Sequence, residues 1–276
     1  MQRRFLSWAA QMGLLLCGVL LSGTAFHAGA QALRIGGTGS ALGTVRLLAD
    51  AFAKQNPTLS GFTVVPNLGS SGGLRALKAG AIDIALISRP LKPEEAAGLV
   101  GFEYGRSPFV FVTSKTSVKN ITPSAVADFL SGHVMSWPDG QSVRFVLRPD
   151  SDADNVYLAS FSPDIAAALK IAHKRPGMVM AASDQDAADE AENLPGSLAV
   201  NTLALILSER RKLNVIAFNG VAPSVKALAD GVYPYFKPML MVTRGAPTGA
   251  AQRFIEFAGS PRGRAILEAN GHLIAY

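Results

Sequence analysis

Short apolar segments of strand length alternate with amphipathic segments of helix length along the chain after residue 32. Runs rich in Val, Ile, Leu and Phe predict buried strands at 33–35, 62–65, 82–87, 108–112, 143–147, 178–181, 196–200, 215–218 and 237–242. Helical spacing predicts helices at 123–130, 156–161, 163–170, 183–192, 202–209, 223–229, 250–258 and 261–269, with further helices beginning after 44, 72 and 92. Strands and helices that alternate in this way favour an α/β fold.

The stretch that begins GSSGG combines a small-residue loop, a short helix and a buried strand. Ser70 and Ser71 are preferred N-cap residues, and Gly72 lets the backbone come close to a ligand. A helix start carries unpaired N–H groups and a positive dipole end, so it favours an anion. The strand then delivers the hydroxyl of Ser88 and the guanidinium of Arg89. This pattern indicates an anion-binding cleft, although an ordinary Ser/Gly-capped helix would show it too.

Two more polar loops follow predicted strands, at 38–44 and 148–155. Ligands of open α/β sheets bind outside the carboxyl ends of the strands, so these loops belong to the same candidate cleft. Their candidate ligand-binding residues are Gly39, Ser40, Arg148, Ser151 and Asp154. A dinucleotide site is disfavoured, because the glycines of the first loop do not have the required spacing.

The N-terminal segment has the features of a secretory leader. Arg3 and Arg4 are followed by an apolar run at 12–21 and by small residues suited to cleavage near residue 30. We therefore predict a signal peptide at 1–32 and a periplasmic protein, with a retained membrane anchor as the alternative. Cys17, the one cysteine of the chain, lies within the leader, which leaves no thiol or disulfide chemistry afterwards.

Composition and charge narrow the function classes. The chain is 49% hydrophobic and has a formal charge of +6, of which two arginines belong to the leader. These values suit a folded protein with an anionic ligand, and no basic–aromatic interleaving suggests a nucleic acid. The scattered histidines offer no metal site, so we expect no metal or cofactor.

A hydrolase is the rival class. It would use Ser70 or Ser88 with His133 or His173. No Gly-x-Ser-x-Gly nucleophile elbow is present, and the histidines do not flank a candidate nucleophile in the sequence. We therefore expect a binding protein without catalytic residues.

Taken together, these motifs resemble the phosphate-binding members of the periplasmic substrate-binding proteins of ABC transporters. The resemblance covers nearly all of the chain after the leader. The motifs that carry it are Gly39-Ser40, GSSGG at 69–73, AGAIDI at 79–84, Ser88-Arg89-Pro90-Leu91, WPDG at 137–140, the loop at 148–155, LPGSL at 194–198, NGVAPS at 219–224 and DGVYP at 230–234.

The resemblance implies a type II periplasmic-binding-protein fold, in which two α/β lobes enclose the ligand and two strands cross between them. We expect the crossings at 109–115 and 233–244. One lobe would then comprise 33–112 with 240–276, and the other 113–239. The implied protein is a monomer that binds an inorganic oxyanion, phosphate first, for an ABC permease. Sulfate or another oxyanion, a membrane sensor kinase as partner, and a member of the fold that binds nothing remain alternatives.

The resemblance implies that phosphate contacts Ser40, Ser70 or Ser71, the position of Arg89, and Arg148 with Ser151. Two positions depart from the family pattern. Arg89 stands where the family has an aspartate that accepts the ligand's proton, and Ala153-Asp154 replaces a Gly-Thr pair. Asp154 or Asp152 would replace the proton acceptor, or Arg89 would make a more positive site that takes sulfate. A surface or inter-lobe salt bridge is the remaining interpretation of Arg89.

Overall fold

The computed structural model describes residues 32–57, 61–66 and 68–275. Its strands are β1 (Leu33–Gly37), β2 (Phe62–Val65), β3 (Ile84–Ile87), β4 (Leu99–Thr113), β5 (Asn120–Ile121), β6 (Arg144–Leu147), β7 (Val179–Met180), β8 (Ser197–Thr202), β9 (Asn214–Phe218) and β10 (Phe236–Arg244). Its helices are α1 (Gly39–Gln55), α2 (Gly69–Lys78), α3 (Pro123–Ser131), α4 (Ala153–Ala159), α5 (Pro163–Ala172), α6 (Asp184–Asn193), α7 (Leu203–Ser208), α8 (Val225–Ala229), α9 (Gly249–Gly259) and α10 (Pro261–Ala269).

The strands join in the order β2-β1-β3-β10-β4-β8-β6-β7, and β9 pairs with β4 and β5. β1 runs parallel to β2 and β3, and β6 runs parallel to β7 and β8. Two long antiparallel strands, β4 and β10, connect these parallel groups. The carboxyl ends of the parallel strands are where α/β proteins bind ligands, so each group contributes loops to one shared region.

The described residues form four apolar clusters, two in each of two lobes. In the first lobe, Ile35 and Leu48 pack with Phe254 between β1, α1 and α9. In the second lobe, Phe111 packs against Phe161 and Phe218, at 4.9 and 5.3 Å between ring centroids. The α/β alternation predicted from the sequence is therefore confirmed. The boundaries proposed for the lobes stay a prediction.

Three local predictions are wrong. The loop predicted at 38–44 is helical from Gly39 onward, because α1 begins there and not after residue 44. The strand predicted at 108–112 is confirmed as the end of a longer strand, β4, whose first half pairs with β10. The helix predicted after residue 92 is a turn, closed by the bond from the Glu95 N–H to the Lys92 carbonyl. Ser70 and Ser71 are not N-caps, because α2 begins one residue earlier and its N-cap is Leu68.

Within the described part of the chain, no helix combines the length and apolarity needed to cross a bilayer. The predicted signal peptide lies outside the described residues, apart from its last residue.

Candidate functional site

A cavity of about 610 Å³ lies between the two lobes. The starts of α1 and α2 and the end of β3 border it from the first lobe. The loop 148–152 and the starts of α4 and α6 border it from the second lobe. The three polar segments that the sequence singles out therefore meet in one place, two of them as helix starts and one as a loop.

Close backbone packing fixes the start of α1. Gly37 has φ +146°, and a Cβ there would collide with the backbone of Leu86 on β3. A Cβ on Gly73 would come within 2.8 Å of the Gly37 Cα, so this glycine lets α2 pack onto the end of β1. The first-lobe side of the site is thus a rigid junction of two strands and two helix starts.

The start of α1 holds a carboxylate that belongs to the second lobe. The N–H of Ser40 donates to Asp184 Oδ2 and its hydroxyl donates to Asp184 Oδ1, both at 3.1 Å. The Thr38 hydroxyl lies 3.4 Å from Asp184 Oδ2 and 3.0 Å from the Ser88 hydroxyl. These groups form a buried oxyanion-binding arrangement, which we call the α1 seat: Thr38, Gly39 and Ser40.

A cluster of buried charges lies behind the α1 seat. Lys237 on β10 is 0% exposed, and its ammonium donates to Asp154 and lies 3.7 Å from Asp184 Oδ1. It also lies 4.7 Å from the ring centroid of Phe109. Arg148 pairs with Asp152 at 2.7 Å. Three carboxylates therefore face two cations, and the cluster carries one negative charge when every group is ionised.

Burial raises the pKa values of the Asp154 and Asp184 carboxyls, whereas the neighbouring cations lower them. Burial raises the pKa of Asp154 to about 7, reinforced by the charges of Asp184 and Asp152 and opposed by Lys237. Burial also disfavours ionisation of Asp184, but Lys237, Arg148 and the bonds from Ser40 outweigh it and lower its pKa. The excess proton of the cluster therefore belongs to Asp154, and Asp184 stays ionised.

The same carboxylates keep the cations charged. Burial disfavours the charged form of Lys237, but Asp154 and Asp184 more than compensate and raise its pKa. Burial likewise acts against Arg148, whose pKa is nevertheless raised by Asp184, Asp154 and Asp152. The site therefore keeps two permanent positive charges.

Arg148 retains a free donor. Its residue is 5% exposed, and it donates to the Ala181 carbonyl at 3.0 Å and to Asp152 at 2.7 Å. Its Nε is buried without a hydrogen-bond partner. A buried donor left unpaired is costly unless a ligand or water satisfies it, so Arg148 has the capacity to bind an anion.

The start of α2 organises the end of β3. The Ser70 hydroxyl accepts from the Ser88 N–H at 3.2 Å, and the Ser71 hydroxyl accepts from Arg89 at 3.1 Å. The two terminal nitrogens of the Arg89 guanidinium donate to the carboxylate of Glu95, at 2.6 and 2.7 Å. Of the interpretations left open for Arg89, the structure shows a salt bridge, formed within one lobe. The hydrogen bond from Arg89 lowers the pKa of Glu95.

The structure places every predicted ligand-binding residue at this cavity or at the seat beside it. Gly39, Ser70, Ser71, Gly72, Ser88, Arg89, Arg148, Ser151 and Asp154 line the cavity, and Ser40 lies in the α1 seat. Asp154 faces Lys237, so its carboxylate is already paired. The candidate hydrolase histidines pair elsewhere, His133 with Asp128 and His173 with Asp150.

Sequence reasoning missed three charged residues at or beside the site. Lys237 stands in an apolar strand, and a lone lysine there is a signal for a buried acidic partner. Asp184 follows Ser183, a good N-cap. Acidic residues are common in the first turn of a helix, so the sequence does not mark Asp184 as a site residue. Glu95 sits in the turn predicted as a helix. No group of metal-capable side chains occurs among the described residues.

The fold and this cleft together define the class of protein. A family model described as the PBP superfamily domain matches residues 24–262. This match spans most of the chain, so the chain belongs to that superfamily.

Individual proteins to which the chain is similar make the resemblance more specific. The phosphate-binding protein PstS of Bacillus subtilis (strain 168) is 25% identical over 236 residues, which are 83% of this chain and 75% of that protein. A substrate-binding protein assigned to a phosphate ABC transporter of Clostridium perfringens, solved with bound phosphate, has a TM-score of 0.75 and 19% identity, covering 89% of this chain and 100% of the other. The periplasmic molybdate-binding protein of Azotobacter vinelandii has a TM-score of 0.61 and 18% identity, covering 88% and 100%.

These comparisons confirm the resemblance to phosphate-binding solute-binding proteins and the two-lobe α/β fold. The curated relative is by name a binding protein and not an enzyme, which agrees with the expectation of a non-enzymatic protein. At their level of identity, the solved structures establish the fold and nothing further.

Proposed function

We propose that this chain is an exported solute-binding protein that captures an inorganic oxyanion between its lobes, with phosphate as the first candidate, and delivers it to an ABC-type importer. The lobes would be 33–112 with 240–276, and 113–239. The protein would act in the periplasm as a monomer, after loss of residues 1–32. A membrane sensor is the alternative partner.

One observation carries this proposal. The amide and hydroxyl of Ser40 already hold an oxyanion, the carboxylate of Asp184, in a buried arrangement. Such donors at a helix start would bind the oxygens of phosphate in the same manner. The orphaned Nε of Arg148 offers a further donor, and the hydroxyls of Ser70, Ser88 and Ser151 lie on the same cavity.

The choice of phosphate draws support from the relatives. The B. subtilis relative is by name a phosphate-binding protein, and the C. perfringens neighbour holds phosphate. The molybdate-binding neighbour shows that the fold also serves tetrahedral oxyanions without protons. An acceptor carboxylate would favour a protonated anion, and Asp152, which lines the same cavity, would supply it here.

One observation favours a second candidate, a member of the fold that closes without a ligand. Three carboxylates of the chain itself already neutralise the two site cations, Lys237 and Arg148. Such a protein would pass a conformational signal rather than a solute.

Calorimetric titration tests the proposal. We expect the ligand-stripped protein to bind phosphate, and the variant Arg148→Gln to lose at least about tenfold in affinity. The matched control is Arg144→Gln, which removes an exposed arginine at the start of the same strand, β6. If sulfate binds as tightly as phosphate, the site accepts oxyanions that carry no proton. No heat from phosphate, sulfate or molybdate would overturn the proposal and favour the second candidate.

A further inference from the structure

We propose that Asp184 is a built-in competitor of the ligand: its carboxylate occupies the α1 seat, holds the lobes together in the empty protein, and has to leave before an anion can bind there. This inference rests on the proposed function, which assigns the α1 seat to an oxyanion.

The first argument is the number of donors. An amide and a hydroxyl have one hydrogen each to donate, and Ser40 gives both to Asp184. The Thr38 hydroxyl has one hydrogen as well, and it lies within reach of Asp184 and of Ser88. Neither donor of Ser40 is therefore available to a second anion while Asp184 is in place.

The second argument is charge. Asp184 is 5% exposed and faces Lys237 and Arg148, which hold it in its ionised form. A phosphate oxygen placed beside this carboxylate would put two negative charges within a few ångströms of each other in a poorly screened space. Replacement of one anion by the other avoids that repulsion.

The third argument is the way the carboxylate is anchored. Asp184 is the first residue of α6, and its carbonyl accepts from the side chain of Asn201 on β8. The backbone of Asp184 therefore belongs firmly to the second lobe. Large withdrawal of its carboxylate from α1 then requires the second lobe to move away from the first.

Neighbouring hydrogen bonds also link the two lobes. This is expected if the Asp184 contact acts as a latch, that is, a contact that keeps the lobes together. The Gln185 amide donates to the Gly39 carbonyl at 3.0 Å, and the Tyr157 hydroxyl donates to the Ser88 carbonyl at 3.0 Å. A Cβ on Gly39 would lie 2.8 Å from the Asp184 Cβ, so the two helix starts meet without spare room. Contacts of the chain with itself thus join the two lobes at this point.

A latch of this kind lowers the apparent affinity for the ligand. If only the unlatched fraction accepts an anion, the apparent dissociation constant rises in inverse proportion to that fraction. The affinity of the protein would be set by Asp184 as much as by the residues that touch the ligand.

The test combines binding with a distance between lobes. We compare the parent protein with Asp184→Asn and Asp184→Ala, and use Glu190→Gln as the control that removes one negative charge from the same helix. Binding of inorganic phosphate is measured by calorimetry. Because the chain has no cysteine after Cys17, Lys78→Cys and Lys174→Cys introduce one spin label per lobe for a distance measurement without phosphate.

We expect both Asp184 variants to bind phosphate at least about tenfold more tightly than the parent, and to show a longer inter-lobe distance when empty. Glu190→Gln should match the parent in both measurements. Weaker or unchanged binding in the Asp184 variants, or an unchanged distance, would overturn the inference. If neither parent nor variants bind phosphate, sulfate or molybdate, the proposed function fails, and the distance alone then decides whether Asp184 is a latch.

Discussion

Arg89 and Arg148 line the same cavity, but they differ in how far their guanidinium groups are hydrogen-bonded within the protein. Arg89 is engaged by both carboxylate oxygens of Glu95 and by Ser71, whereas Arg148 keeps one buried donor without a partner. A guanidinium already satisfied by a bidentate carboxylate has little left to offer a ligand. Arg89 is thus a structural arginine, whereas Arg148 keeps the donor that our proposal assigns to the ligand, and the sequence alone leaves this distinction open.

We expect Arg89→Ala to change phosphate affinity by no more than about threefold, because Glu95 already occupies this guanidinium. The variant should lower the free energy of unfolding by about 1 kcal/mol, through loss of a partly exposed ion pair. Calorimetry and urea unfolding measure the two effects. Glu95→Gln is the control, and a large loss of affinity in Arg89→Ala alone would return Arg89 to the ligand-binding set.

The raised pKa of Asp154 predicts that the stability of the protein depends on pH. In the folded protein its carboxyl keeps a proton up to about pH 7, whereas in the unfolded chain it ionises near its ordinary value of 3.8. The folded state therefore binds more protons between these values, and its stability falls as the pH rises toward 7. The groups that face this carboxyl are Lys237, Asp184, Asp152 and Arg148.

The slope from this one proton is at most about 1.4 kcal/mol per pH unit. We expect Asp154→Asn to abolish that component, so the difference in unfolding free energy between parent and variant should change from about pH 5 to about pH 7 and level off above it. Urea unfolding at several pH values measures it. Parallel pH profiles for the two proteins would contradict the assignment of the proton to Asp154.

At the scale of elements, the contact between the starts of α1 and α6 controls how closely the lobes approach. Gly39→Ala would push a methyl group against Asp184 and Gln185. We expect a longer inter-lobe distance in the empty protein and a lower melting temperature, measured by spin labels and by thermal unfolding. Gly72→Ala is the control, because a Cβ there meets only ordinary contacts from 3.5 Å outward. A change of distance in both variants would mean that helix propensity, not the contact, is responsible.

How much the sequence reveals also depends on the element. Helices with local signals are predictable, such as α3 and α5, each with a side-chain N-cap and a proline in the first turn. The first half of β4 is not, since its glycines and charges carry no strand pattern, and pairing with β10 and with Leu273 holds it extended. The three polar loops are visible in the sequence because their composition is local. The pairing of Lys237 with Asp154, 83 positions away, is tertiary: a lysine in an apolar strand signals a buried acidic partner but does not say which one.

At the scale of the whole molecule, β4 and β10 bind the two lobes into one sheet, and Lys237 lies on this shared part. The ammonium compensates two buried carboxylates of the second lobe, Asp154 and Asp184, and Asp184 in turn contacts the first lobe. The side chain of Lys237 therefore stabilises both the strands that the two lobes share and the contact between the lobes at the cleft.

We expect Lys237→Met to lower the free energy of unfolding by about 3–5 kcal/mol, because it leaves buried carboxylates without their cation. The double variant Lys237→Met with Asp184→Asn should recover about half of that loss or more, since Asp184 is the buried carboxylate that stays ionised. Urea unfolding measures both.

Lys226→Met is the matched control for this change: its ammonium pairs with Asp230 on an exposed helix face, so the cost there should stay below about 1 kcal/mol. An equally small cost for Lys237→Met would mean that the cluster relaxes or takes up water once the cation is gone. The cluster would then not be an ionic core, and the closed cleft would depend on the contacts of α1 with α6 alone.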